Sequence, residues 1–152
     1  CDSAAHRGAM KKGKTIAIVG NGLDFVYPRE NESLAFEILS SGGLILSEYE
    51  IGTPPNKYNL VERDLLQADV SKAVIVVQSS EIGGSMYAAK ESVKLGKKLY
   101  TVKFSDEALN NSEECSVNRI LVKEFGASYI EPSSDKEFMK SYLNKISFEI
   151  KD

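Results

Sequence analysis

The run Ala73-Val74-Ile75-Val76-Val77 is apolar at every position, and it is one of five short apolar runs in the chain. The others lie at residues 15–19, 44–47, 99–102 and 128–130, with helical patterns between them. Strands alternating with helices predict βα repeats, and strands joined by crossover helices run parallel. A strand without a polar position is expected to be central and covered on both faces. Helices are expected at residues 1–12, 32–40, about 60–70, 85–95, 117–125 and 136–146, with a long polar loop at 105–116. Gly42-Gly43, Gly96 and Gly126 supply stops for three of them. In the helix at 32–40, Leu34, Ala35, Ile38 and Leu39 are expected on one side.

A chain of 152 residues fits one domain and can bury a real core. The net charge of −3 and a pI of about 5.3 exclude a protein coated in basic charge, so any phosphate or nucleic-acid site must be a local patch. No apolar run approaches the roughly 20 residues that span a bilayer, and no signal-peptide pattern is present. Cys1 and Cys115 are far apart and His6 is the sole histidine, so no zinc site and no other metal are expected. Such cysteine usage fits a reducing cytoplasm. The fold expected is α/β, a Rossmann-like three-layer αβα sandwich with a mostly parallel sheet over residues 1–152.

Two regions carry ligand signals. The first joins Gly20-Asn21-Gly22-Leu23-Asp24 to Gly52-Thr53-Pro54-Pro55-Asn56-Lys57, loops that follow the first two strands. Loops of that kind lie at the carboxyl edge of a parallel sheet, where open α/β folds bind ligands. The second is Gly83-Gly84-Ser85-Met86, between the run at 73–77 and a helix. Glycines admit a ligand close to the backbone, and the helix start offers free N–H groups and a positive dipole end. Ser85 is placed to cap that helix or to donate to a phosphate oxygen; a plain Gly-Gly turn with a Ser cap fits the tetrapeptide equally well.

Asn21-Gly22-Leu23-Asp24, Tyr27-Pro28, Asn31, Ser47-Glu48-Tyr49 and Gly52-Thr53-Pro54-Pro55 together resemble the DprA/Smf family of bacterial DNA-processing proteins. The resemblance covers about residues 1–127. It implies a Rossmann-like domain, single-stranded DNA binding, a role in natural transformation, RecA as a partner and a homodimer. It implies phosphate contacts by Lys57, Arg63, Gly83, Gly84, Ser85, Asn21 and Gly22, with Met86, Arg29 and Lys103 as additional positions. No cofactor and no catalytic residue are implied. The opening residues CDSAAHRGAM match the middle of the family pattern, so the first β-α-β unit with its own phosphate loop is expected to be missing.

Several positions depart from the family. Many relatives have Arg-Asn-Arg at the start of a helix, where this chain has Arg63-Asp64-Leu65, and Glu62 and Asp64 are available to pair with Arg63. Val102-Lys103-Phe104 replaces the usual Val-Pro-Gly. The acidic pI, the lost second arginine and the Gly83-Gly84-Ser85-Met86 loop keep open an alternative, a sensor domain for a nucleotide or nucleotide-derived ligand. Asp24 and Glu48 are a carboxylate pair that would suit a glycosidase of the related LOG type. The LOG motif Gly-Gly-x-Gly-Thr-x-x-Glu is absent, so an enzyme is not expected. Asn31 is expected to cap the helix that follows it, and His6 to pack or hydrogen-bond near the crevice.

Overall fold

A computed structural model describes residues 1–105, 113–133 and 136–149. Its contacts cluster into two compact units, Cys1–Leu66 and Gln67–Asp152. The first unit contains helix α1 (Asp2–Met10), strand β1 (Ile16–Val19), a 3₁₀ turn at Arg29–Asn31, helix α2 (Glu32–Ser40) and strand β2 (Leu44–Ser47). Helix α3 (Lys57–Val70) carries the division between the units. The second unit contains β3 (Ala73–Val76), α4 (Gly84–Lys94), β4 (Lys98–Val102), α5 (Glu113–Phe125), β5 (Ser128–Ile130) and α6 (Lys136–Glu149).

In the first unit β1 and β2 pair in parallel, from Ile16 opposite Leu44 to Val19 opposite Ser47. Helix α2 buries Leu34 and Ile38, which are one helical turn apart and share a face. Leu39 does not join them: it lies about 140° around the helix from Leu34 and is 55% exposed. The turn after α2 passes through Gly42 at φ +77, a region glycine enters without a Cβ clash. Asn31 stands at the α2 N-cap position but makes no capping hydrogen bond; its Oδ1 instead accepts from Ser3 Oγ at 3.1 Å, tying α1 to the start of α2.

In the second unit the strand order is β3-β4-β5, all parallel. Side chains alternate across a strand, so Leu99 and Tyr100 serve opposite faces. On one face Val76 and Leu99 pack with Met86 and Ala89 of α4 and with Val117 and Leu121 of α5. On the other, Tyr100 and Ile130 pack with Ile146 of α6. Helices thus cover both faces, the three layers that the sequence pattern predicts. Each buried Leu or Ile side chain contributes about 1.5–3 kcal/mol through the apolar surface it removes from water.

Three further expectations change. β3 pairs only with β4 among the described residues, and Ile75 is 51% exposed, so its apolar run does not make it a strand covered on both faces. α5 begins at Glu113 rather than at residue 117, absorbing the end of the expected loop; residues 106–112 of that loop lie outside the described residues. α4 begins at Gly84 with Gly83 as its N-cap, so Ser85 sits inside the helix and does not cap it.

Candidate functional site

β1 and β2 run parallel, so the loops that leave them emerge at the same carboxyl edge, and hydrogen bonds stitch those loops together. Gly22 N–H donates to Thr53 O at 2.9 Å, and Gly52 N–H donates to Asp24 Oδ1 at 2.9 Å. Ser47 Oγ donates to Asn21 O at 2.6 Å. Asn21 is 2% exposed, and its Nδ2 donates to Gly22 O at 2.8 Å and Phe25 O at 3.1 Å. A Cβ on Gly22 would lie 2.6 Å from Glu50 O, so the crossing of the two loops needs a glycine there. Asn21 and Gly22 therefore build the scaffold, with their donors directed inward. Asp24 holds the Gly52 turn, and Glu48 is exposed.

The second loop delivers the chain into α3. Asn56 Oδ1 accepts from Tyr58 N–H at 2.9 Å and from Asn59 N–H at 3.0 Å, which makes it the N-cap that the helix requires. Lys57 is consequently the first residue of a helix rather than a loop lysine, and it is exposed. It forms no ion pair or hydrogen bond with the described residues. Its neighbour Tyr58 is 83% exposed. Sequence reasoning passes over Tyr58, although an aromatic residue beside a lysine just after Pro54-Pro55 is a readable signal.

Arg63 behaves differently. Six residues on from Lys57, it points about 120° away around the helix. Its Nη1 donates to Ile18 O at 3.4 Å, and its Nε lies 3.0 Å from Asp64 Oδ1. That ion pair lacks hydrogen-bond alignment, so Nε–H is a buried donor without an acceptor. Burial pushes the Asp64 carboxyl up; Arg63 pulls it down by less, and Asp2 adds to the rise. Tyr49 is also pushed up, first by burial and then by Glu62 and Glu48, and its hydroxyl donates to Asn59 O at 3.3 Å. Arg29 is exposed in the 3₁₀ turn. His6 Nδ1 lies 2.8 Å from Thr15 Oγ1, before β1 starts, which puts it at the amino end of the strand and away from the loops.

In the second unit the loop at residues 77–83 links the carboxyl end of β3 to α4. Gly83 N–H donates to Ser80 O at 2.9 Å and Met86 N–H to Gly83 O at 3.1 Å. The N–H groups of Gly84 and Ser85 have no acceptor among the described residues. Met86 is 5% exposed in the core, so its side chain does not reach a ligand. Lys103, just past β4, is paired with Glu131 at 2.7 Å. Asn118 on α5 is 1% exposed, and its Nδ2 donates at 2.8 Å to both Val77 O and Val102 O, clamping the carboxyl ends of β3 and β4. Among the described residues no group of three or more His, Cys, Asp or Glu could hold a metal, and no helix is long and apolar enough to cross a membrane.

These features define a parallel α/β protein whose carboxyl-edge loops present a lysine in one unit and free backbone donors in the other. The profile of the DNA recombination-mediator protein A family matches residues 1–141, and the chain belongs to that family. Protein Smf of Escherichia coli (strain K12) is 33% identical over 102 residues, covering 66% of this chain and 27% of that protein. DNA processing protein DprA of Streptococcus pneumoniae is 33% identical over 102 residues, 66% of this chain and 36% of its own length. This chain thus spans about a quarter to a third of the curated relatives it matches. Among solved structures, DprA from Streptococcus pneumoniae superposes with a TM-score of 0.74 at 30% identity, over 85% of this chain and 44% of that one. DNA processing protein A from Helicobacter pylori, described for its single-stranded DNA binding mode, gives 0.71 at 25% identity, over 94% of this chain and 72% of that one.

Proposed function

We propose that this chain is a DNA-processing domain that binds single-stranded DNA through its phosphates, each unit contributing contacts at the carboxyl edge of its own sheet. Lys57 carries the proposal: it is an exposed cation with no partner among the described residues, held on a capped helix start. The N–H groups of Gly84 and Ser85, after Gly83, supply neutral donors at the amino end of α4, where the helix dipole favours an anion. Asn21 and Gly22 act by shaping the loop that supports Lys57. Arg63 acts mainly by fixing α3 to the end of β1. Arg29 adds exposed charge, and Lys103 is available only when it leaves Glu131.

Phosphate contacts position a strand without reading its sequence, so little base preference is expected. No chemical step is needed for this role. A cytoplasmic place in natural transformation, delivery of the strand to RecA and a homodimeric state complete the proposal, on the likeness to DprA proteins.

Fluorescence anisotropy with labelled oligo-dT at a series of salt concentrations is the test. Each phosphate neutralised on a single strand contributes about 0.7 to the slope of log K against log salt. K57A should weaken binding by about 1–3 kcal/mol and reduce the slope by about 0.7. R63A should leave the slope unchanged while lowering stability. Salt-independent binding that K57A leaves intact would instead fit a small nucleotide held by backbone donors, and would overturn the proposal.

A further inference from the structure

Tyr58 is 83% exposed on a backbone that hydrogen bonds tie to the helix cap. Its own N–H and that of Asn59 donate to Asn56 Oδ1, Leu60 N–H donates to Asn56 O at 3.1 Å, and Pro54 and Pro55 precede the cap. A tyrosine side chain left in water on a rigid helix start contributes little to the fold. It has a large apolar face and only two side-chain torsions to fix on binding.

The residue beside it selects the partner. Lys57 is an exposed cation without a partner among the described residues, and successive helix positions splay by about 100°. An occupant must therefore offer an anion and, next to it, a flat apolar face. An unpaired nucleotide offers both, in its phosphate and its base. We infer that Tyr58 is a stacking platform for an unpaired base of the strand whose phosphate Lys57 holds. This rests on the single-stranded DNA reading and extends it, because stacking needs a base that is not already sandwiched in a duplex. Every base has a π-face, so the platform favours single strands over duplex without favouring a sequence.

The experiment compares oligo-dT, an abasic deoxyribose-phosphate strand of equal length and a duplex, using the 152-residue chain and fluorescence anisotropy. The wild type should bind oligo-dT about tenfold tighter than the abasic strand, the lower part of the range for one stacked base. Y58A should erase that difference while keeping its affinity for the abasic strand within about twofold, Y58F should preserve it, and K57A should weaken both strands alike. Several results would overturn the platform: Y58A binding oligo-dT like the wild type, Y58A losing both strands equally, or Y58F failing like Y58A. A change of oligomeric state in Y58A without a change in DNA affinity would make Tyr58 a protein-contact residue instead. Equal wild-type affinity for oligo-dT and the abasic strand sinks the platform but leaves the phosphate reading standing, whereas no binding to any strand sinks both.

Discussion

Substituting Asn118 by alanine should weaken the second unit more than the loss of one surface amide would. The side chain is 1% exposed, and its single nitrogen donates to Val77 O and Val102 O, both at 2.8 Å. Each such bond contributes about 0.5–1.5 kcal/mol net, and a carbonyl left without a donor costs up to about 1–3 kcal/mol, less where water reaches it, as at these part-buried sites. Acting against this, Asn118 Oδ1 is buried without a partner, and removing it relieves one penalty of the same order. Two stranded, part-buried carbonyls against one relieved oxygen leave a net loss of about 1–3 kcal/mol. For a chain of this size that corresponds to a fall in Tm of about 2–12 °C. N118D is the sharper probe: it keeps the shape but replaces the donor with a carboxylate facing two carbonyls, and should be worse than N118A at neutral pH. Thermal unfolding followed by circular dichroism reads both. An N118A shift below about 1 °C, or N118D no worse than N118A, would refute the clamp.

Two glycines give opposite expectations. G22A forces a Cβ to within 2.6 Å of Glu50 O and should destabilise by about 1–3 kcal/mol. G8A has open space around it inside α1 and should stabilise by about 0.5–1 kcal/mol, and chemical denaturation measures the pair. Asp64 gives a pH signature. Its folded pKa is raised, mainly by burial, so its favourable contribution is complete below the unfolded value and is lost as pH rises through the folded one. The Tm of the wild type minus that of D64N should therefore grow as pH falls from 7 into the carboxylate range; a flat difference would contradict the burial of that carboxyl.

The regular elements were legible because periodicity reports burial locally. The bounds of α2, β2 and β5 coincide with the expected ones, since Leu34 and Ile38 mark one helix face and Gly42 can take the positive φ of the turn. Exposure was less legible. The all-apolar run at 73–77 implied cover on both faces, yet which neighbours a strand acquires depends on chain far away in sequence. The role of Asn31 was missed for a similar reason: capping is a local rule, while its actual partner, Ser3, lies 28 residues back. Asn118 carries no such signal, because nothing in a single sequence tells a buried amide from an exposed one.

Lys57 and Arg63 show how a reading by spacing and a reading by geometry diverge. As letters they form one basic pair at the start of one helix. With 3.6 residues per turn, a separation of six places them on different faces, and the face that carries Arg63 meets the end of β1. Asp64, where many relatives have Asn, supplies a carboxylate 3.0 Å from the guanidinium, and Leu65 stands where they carry a second arginine. One cation thus faces solvent where the family pattern offers three basic residues. Phosphate charge neutralisation by this helix is correspondingly small, which agrees with the net charge of −3 and leaves non-ionic contacts a larger share of any strand affinity. Among the described residues, the free N–H groups of Gly84 and Ser85 and the exposed ring of Tyr58, with Tyr27 and Phe25 exposed in the loop after β1, are groups able to make contacts of that kind.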